Sequence, residues 1–380
     1  MFEIVSALGW IFVAASLAGG LYALMAGFLV GRMFRRQPPP AAALPAMSVL
    51  KPLHGAEPGL RCHLESFCVQ AYPAPVQIIF GVQDPFDPAI EVVRALQADH
   101  PDVDIELVID QRLYGSNRKV SNLVNMERLA RYPAIVLADS DIGVPPDYLS
   151  RLAAALAAPG VGFVTCPYVG KPTGNGWSQL AAMAINYHFL PSVALGVTLK
   201  LASPCFGSTI ALRKETLDEI GGFLPLANVL ADDFEIGRSI RAHGYGFALL
   251  PLVTTHACPE MELREVVAHE LRWARTIRGI DPAGFFGSGV SHALPIALIG
   301  AALLHFSLPA TLVLAFTAAS RLYLMREVDL ATGAKAGARW MTLGRDLLSF
   351  TIFLGALLVN SVSWQGRRFR IDADGVLSPY

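Results

Sequence analysis

The chain has 380 residues, of which 53% are hydrophobic and only 16% charged, and its mean hydropathy is +0.45. A soluble domain carries about 25% charged residues, so this chain is too apolar for water alone. Thirty basic residues against 31 acidic ones leave a net charge of −1, which excludes the broad cationic field that nucleic-acid binding uses.

In chain order, the first feature is a stretch from residue 4 to residue 31 without one formal charge. It exceeds the ~20 residues needed to cross a bilayer core. Arg32, Arg35 and Arg36 follow it, then the break at Pro38-Pro39-Pro40. A signal peptide has its positive charge before the apolar run. The order here predicts an uncleaved anchor over residues 1–36 with its C-terminal end in the cytoplasm.

Residues 47–284 have ordinary polarity and are numerous enough for a substantial core. Strands are predicted at 47–50, 76–82, 105–109 and 134–138, with helices at 59–70, 89–100 and 118–131 between them. That alternation predicts a mostly parallel sheet with helices on both faces. Five cysteines (Cys62, Cys68, Cys166, Cys205 and Cys258) form neither a CxxC pair nor a zinc spacing, which argues for a reducing compartment. Within the domain the apolar stretch 177–202 reads either as an interfacial helix or as a core helix.

Two further apolar regions follow, 287–320 and 347–364, making 285–366 a C-terminal membrane region of two or three spans. Residues 367–380 are expected to form a cytosolic tail. Arg321, Arg326, Lys335, Arg339 and Arg345 lie between the two regions, and Arg367, Arg368 and Arg370 follow the second. One crossing separates those clusters, so the rule that positive charge stays inside cannot be met by both. No acidic or basic residue is expected to interrupt a span, which counts against transport.

In a parallel sheet, ligands bind beyond the carboxyl ends of the strands. There the sequence places Asp84 and the pair Asp139-Ser140-Asp141. Two carboxylates at i and i+2 can face one hard cation, as Mg²⁺ or Mn²⁺ sites require, or can simply cap the next turn. Lys119 opens a predicted helix after Gly115-Ser116-Asn117, which suits either a phosphate site or a capped loop. Asp232-Asp233 stands at a predicted helix start, as dipole-complementing caps or with one member as a general base. His269-Glu270-Leu271-Arg272-Trp273 begins a stripe continued by Arg275 and Arg278. Such a stripe can hold anionic headgroups, or its arginine and indole can bind a departing phosphate or an acceptor.

The order Asp84, Asp139-Ser140-Asp141, Asp232-Asp233, His269-Glu270-Leu271-Arg272-Trp273 resembles the D, DxD, D, (Q/R)xxRW series of lipid-directed glycosyltransferases. It is most similar to the ceramide glucosyltransferase family, glycosyltransferase family 21, whose bacterial branch includes hopanoid-pathway enzymes. Lys51-Pro52-Leu53-His54-Gly55, Cys205-Phe206-Gly207-Ser208-Thr209 and Gly221-Gly222-Phe223 also match, and the likeness runs from residue 48 to about 370. His269 departs from the family's Gln or Arg.

The resemblance implies a GT-A fold, an α/β cytosolic domain with N- and C-terminal transmembrane helices. It also implies a divalent metal and inversion at the anomeric carbon. Asp84, Lys119, Asp139 and Asp141 are then expected to hold the UDP-sugar, with Asp141 and Asp139 on the metal and Asp233 as the base. Asp232, His269, Arg272 and Trp273 are expected around the diphosphate and acceptor.

The function expected is transfer of glucose from UDP-glucose to the primary hydroxyl of a ceramide-type lipid. The setting is an integral, multi-pass protein of a bacterial inner membrane. Transfer of N-acetylglucosamine to a hopanoid uses the same residues. A polysaccharide synthase needs more spans than are visible, and a catalytically silent scaffold does not need every acidic position filled.

Overall fold

The computed structural model describes residues 2–35, 44–358, 361–364, 367–371 and 377–379. A helix of 33 residues, α1 (Phe2–Phe34), opens the chain. Alternation follows, as the sequence predicts: β1 (Met47–Pro52), α2 (Leu60–Cys68), β2 (Val76–Val82), α3 (Ala89–Asp99), β3 (Asp104–Ile109), α4 (Arg118–Glu127) and β4 (Ala134–Leu137). Next come β5 (Ile142–Gly143), α5 (Tyr148–Leu156), β6 (Val161–Thr165) and β7 (Tyr168–Pro172). A continuous helical stretch joins α6 (Gly176–Ala184), a π-turn (Ile185–Phe189) and α7 (Leu190–Thr198). Then follow β8 (Ile210–Arg213), α8 (Lys214–Glu219), α9 (Asp232–Ala242), β9 (Gly246–Leu249) and β10 (Thr254–Cys258). The chain closes with α10 (Leu263–Ile280), α11 (Pro282–Gly287), α12 (Ala293–Leu303), α13 (Leu308–Thr332), α14 (Thr342–Leu358) and the strands β11 (Ser361–Trp364), β12 (Arg367–Ile371) and β13 (Leu377–Pro379).

Two compact units result. The sheet unit is Arg36–Tyr168 with Ser203–Pro259, and the helical unit is Met1–Arg35, Val169–Ala202 and Glu260–Tyr380. Segments 169–202 and 260–284, expected within the catalytic domain, thus group with the apolar helices. The proline linker falls at 37–46, and its residues 37–43 lie outside the described residues.

In the sheet unit, seven strands run in the order β3-β2-β1-β4-β8-β6-β9. β1, β2, β3 and β4 pair in parallel, and β8 runs antiparallel between β4 and β6. Both faces are covered, so the central strands are mostly apolar rather than strictly alternating. Val49, Ile78, Phe80 and Val136 point to one core with Leu64 and Phe67 of α2, Val93 of α3 and Leu152 of α5. Leu50, Ile79, Ile135 and Leu137 point to the other, with Val120 and Leu123 of α4 and Ile236 and Ile240 of α9. Each such fully buried side chain contributes about 1.5–3 kcal/mol. Gly59 takes a φ of +84° just before α2, a left-handed turn that a side chain would strain. α4 stops four residues short of its predicted end. Its last turn tightens, with Leu129 N–H donating to Met126 and Ala130 N–H to Glu127, ahead of the extended approach to Pro133.

In the helical unit, α1 packs through its glycines. A methyl on Gly19 would fall 2.4 Å from Ala293 Cβ, and one on Gly20 would fall 2.6 Å from the Phe316 ring. Small residues permit this close backbone approach between apolar helices. Among the described residues five helices are long and apolar enough to cross a membrane: Glu3–Phe34, Gly176–Thr198, Pro282–Leu303, Leu308–Thr332 and Arg339–Leu358.

One expectation fails here. Charges do interrupt these helices, because α13 runs on through Arg321, Arg326, Glu327 and Asp329, and α14 contains Arg345 and Asp346. The helices extend past the charge-free runs because those charges are paired. Arg321 donates to both oxygens of Asp346 from Nε at 2.9 and 3.2 Å, and Asp329 accepts from Tyr187 and Arg339. The last apolar region also ends earlier than expected, since α14 stops at Leu358 and Ser361–Trp364 pairs antiparallel with β12. Within it, residues 359–360 lie outside the described residues, as do 365–366, 372–376 and 380 of the segments that follow.

Candidate active site

The carboxyl ends of β1, β2 and β4 lie along one edge of the sheet, because the three strands are parallel neighbours. β2 runs into Gln83-Asp84, and β4 runs into Ala138-Asp139-Ser140-Asp141. Asp84 is exposed, and its Oδ1 accepts the Phe86 N–H at 2.9 Å. Asp87, three residues on, accepts the Gly55 N–H at 2.9 Å and the Ala89 N–H at 2.8 Å. It thereby fastens the segment after β1 to the loop that carries Asp84.

Asp139 is held from three sides. Its N–H donates to the Gly207 carbonyl at 3.1 Å, its carbonyl accepts from Lys51 Nζ at 2.7 Å, and its carboxylate accepts from Lys119 Nζ at 2.7 Å. Lys119, in the first turn of α4, also reaches Asp232 Oδ2 at 3.1 Å. Asp233, beside it at the start of α9, accepts the Gly207 N–H on Oδ2 at 2.9 Å and the Phe234 N–H on Oδ1 at 2.8 Å. Gly207 therefore stands between Asp139 and Asp233, bonded to both. A Cβ there would lie 2.7 Å from Asp139 Oδ2 and 3.2 Å from Lys119 Nζ, so any larger residue would have to displace the Asp139 carboxylate.

Charge in this cluster is unbalanced. Burial opposes the Lys119 charge, yet Asp139, Asp232 and Asp233 outweigh it and raise that ammonium well above the ordinary lysine range. Burial, then the Asp232 charge, pushes the Asp233 carboxyl up to about 6, with Lys119 and the two backbone N–H groups pulling the other way. Asp139 is raised as well, by burial first, and Lys119 opposes the rise. A third of the Asp139 side chain still meets solvent, which tempers that push.

Three residues that sequence reasoning did not single out complete the sheet-unit cluster. Lys51 is fully buried, its ammonium 3.8 Å from the centroid of the Phe67 ring. Burial lowers its pKa to about 7, opposed by Asp141 and Asp139. His256 of β10 is also buried, its Nδ1 3.2 Å from Asp141 Oδ2. Gly207 is the third. Lys51 and Gly207 lie in motifs that carried the resemblance, but without an assigned role.

His269, Arg272 and Trp273 belong to the helical unit, on α10. The His269 ring meets the Trp273 ring edge-on at 4.4 Å between centroids. The buried carboxylate of Glu260 lies 2.6 Å from His269 Nδ1. Glu260 thus orients the residue that replaces the usual Gln or Arg, and no local pattern marked it.

The family model for glycosyl transferase family 21 matches residues 8–377. The chain belongs to that family. Ceramide glucosyltransferase 1 of Caenorhabditis elegans is 25% identical over 353 residues, which is 88% of this chain and 74% of the relative. Ceramide glucosyltransferase 3 of the same organism is 24% identical over 356 residues, 89% of this chain and 75% of the relative. Among solved structures, a mannosyltransferase from Pyrobaculum calidifontis in complex with GDP-Man and Mn²⁺ superposes with a TM-score of 0.52 at 22% identity. That alignment covers 93% of this chain and 99% of that one. The fold is GT-A, and the chain is a membrane glycosyltransferase.

Proposed function

We propose that this chain transfers glucose from UDP-glucose to the primary hydroxyl of a ceramide-type lipid, with inversion at the anomeric carbon. The observation that carries the reading is the Asp139–Gly207–Asp233 bridge. It sets a donor-binding carboxylate and a proton-accepting carboxylate on either side of one glycine. A base acting near neutral pH needs a raised pKa, and Asp233 has one. Asp84 and Asp139 hold the nucleotide sugar in this reading, and Lys119, pinned by carboxylates, faces the diphosphate. Asp232 keeps Lys119 in place. Arg272, Trp273 and His269 contact diphosphate and acceptor.

Asp139 and Asp141 fit a divalent ion. They are oxygen donors at i and i+2, and the charge around Lys119 is in acidic excess. Among the described residues no group of three or more His, Cys, Asp or Glu could hold a metal. Mg²⁺ or Mn²⁺ binds through one or two carboxylates plus substrate phosphates, so in this reading the nucleotide would supply the remaining ligands. Bound between Asp139 and Asp141, such an ion would neutralise the leaving diphosphate. Asp233 takes the proton from the attacking lipid hydroxyl, and its two backbone N–H donors keep the carboxylate oriented as it does so.

The acceptor places the reaction at a bilayer surface. Arg32 and Arg35 close α1 and set the sheet unit on the cytoplasmic side, in a bacterial inner membrane. The stretch 176–198 leaves the sheet after β6 and returns to β8, and those two strands are hydrogen-bonded neighbours. A single one-way crossing there would separate them, so of the two readings, interfacial helix or core helix, we take the interfacial one. α12 and α13 form a hairpin that goes in and returns. With the turn before it (Arg339–Leu358), α14 is long and apolar enough to cross, but Arg345 and Asp346 interrupt it and leave 12 charge-free residues after them (347–358). We read it as not completing a crossing, which would keep Arg367, Arg368 and Arg370 on the cytoplasmic side and relieve the conflict in the positive-inside pattern.

Purified full-length protein in phosphatidylglycerol-containing nanodiscs tests the reading. UDP-glucose, UDP-galactose and UDP-N-acetylglucosamine are crossed with ceramide and a hopanoid alcohol, with Mg²⁺, Mn²⁺ or chelator. Glucosylceramide formed only with metal supports it. N-acetylglucosaminyl hopanoid as the sole product, or full turnover in chelator, overturns it.

A further inference from the structure

α10 carries His269, Arg272 and Trp273, yet of its eighteen residues only Val266 is buried. Most of the others are half-buried, so apolar packing holds the helix only in part and a directional contact can fix its rotation. That contact comes from α14. Arg345 is fully buried, and its Nη1 and Nη2 donate to Glu270 Oε1 and Oε2 at 2.7 and 2.6 Å. The remaining donors go to the Leu180 carbonyl at 3.0 Å and to Ser349 Oγ at 3.1 and 2.7 Å. A guanidinium has five N–H donors, and here all five have acceptors, drawn from α10, α6 and α14 itself.

The next residue, Asp346, works on the other side of α14. It takes the Arg321 guanidinium of α13 and lies 3.0 Å from His188 Nε2 in the π-turn. Arg321 also donates to the Tyr187 carbonyl in that π-turn. Two consecutive residues of α14 thus tie together α10, α13, the middle of α6 and the π-turn that follows it. A π-turn departs from the ordinary helix ladder and recurs at functional sites, and here its Tyr187 carbonyl is met by a buried cation.

We propose that Arg345 is the positioning residue of this transferase's acceptor side. By gripping Glu270 with a two-pronged bond it sets the rotation of α10, and by holding Leu180 it joins α10 to the interfacial helix. Side chains advance about 100° per residue round a helix. A grip on Glu270 therefore turns Arg272 to the far flank and leaves Trp273 close beside the clamp. Lysine cannot reproduce this, since it presents one point charge rather than a planar fork. The inference rests on the functional reading above, because it gives the acceptor side of the reaction to α10.

The test uses the full-length protein in nanodiscs, with Arg345→Lys and the milder Ser349→Ala, which removes two of the five bonds and keeps the ion pair. Hydrogen exchange is followed over 263–280 and over 47–137, and KM is measured separately for UDP-glucose and for ceramide. Arg345→Lys is expected to speed exchange over 263–280 at least tenfold with 47–137 unchanged. It should raise the ceramide KM at least tenfold and leave the UDP-glucose KM within twofold. Ser349→Ala is expected to move the same two quantities by a smaller factor. Unchanged exchange over 263–280 in Arg345→Lys overturns the clamp, and so do donor and acceptor KM rising together. Should the wild-type protein transfer no sugar to any lipid, the functional reading fails, and the exchange arm alone decides whether α10 is clamped.

Discussion

Around Lys119 in the sheet unit, one ammonium is shared by Asp139 and Asp232 with Asp233 close by, and the carboxyls of Asp139 and Asp233 titrate high. Around Arg345 in the helical unit, one guanidinium meets one carboxylate, and every donor has an acceptor. The first cluster is half-open and acidic, an arrangement that a cation or a proton would complete. The second is closed and charge-matched, so a ligand would find nothing left to bind. Burial of charge serves reactivity where the count is left unequal, and geometry where it is made equal.

That contrast breaks most sharply at Asp233. Replacing it with Asn keeps the size and one hydrogen-bond acceptor but removes the proton acceptor. A general base is worth about 10²–10⁴-fold, so kcat should fall by that range while UDP binding stays within a few-fold and the unfolding temperature barely moves. Steady-state turnover beside calorimetric UDP binding reads this, and an Asp233→Asn enzyme at wild-type speed would exclude the assigned base.

In the helical unit the same style of substitution should act the other way. Asp346→Asn leaves Arg321 buried without its counter-charge, and breaking a buried pair costs about 3–5 kcal/mol. Thermal unfolding of the full chain in detergent should register that loss. Replacing both partners, Arg321→Met with Asp346→Leu, is expected to recover most of it, because a matched pair adds little over apolar packing. If the single and double variants are equally unstable, the pair is not balanced in the way described.

Gly207→Ala tests how closely the two carboxylates must sit. The added methyl meets Asp139 Oδ2 at 2.7 Å and must push it away. A displacement near 1 Å at a reacting group costs about 10²-fold at most, so kcat/KM should drop by roughly 10–100-fold with the fold intact. A crystal or cryo-EM structure of the variant would show whether Asp139 has moved.

The sheet was legible because both its faces are covered, which makes β1, β2 and β4 mostly apolar, with Ser48, Lys51 and Gln77 as buried polar exceptions. The carboxylates were legible because aspartate is foreign to such strands and so marks where each one ends. Their partners were not. Lys51 reaches the Asp139 carbonyl across 88 residues and Arg345 reaches Glu270 across 75, and no local period encodes either contact. Arg321 and Arg345 misled in a more instructive way. An unpaired charge in lipid is expensive, so each read as the edge of a span. Both instead lie inside helices, since Asp346 and Glu270 were already waiting in the fold. Compact units follow tertiary contacts rather than composition, which is why residues 169–202 and 260–284 group with the apolar helices.

The smallest expected effect separates the two clusters by pH. Asp233 must be deprotonated to accept the hydroxyl proton, and burial with the Asp232 charge raises its pKa to about 6. The rate constant kcat/KM should therefore be level above that value and fall tenfold per unit as pH drops through it. Asp232→Asn removes the neighbouring negative charge, which stabilises the ionised Asp233 and moves the limb to lower pH. Lys119→Met removes the positive charge that holds the same carboxylate ionised, and so moves the limb to higher pH. Opposite displacements from two neighbours of one carboxyl are hard to obtain from loss of structure, which would lower the plateau without moving the limb. A pH–rate profile whose acid limb stays fixed in both variants would assign that titration to a group other than Asp233.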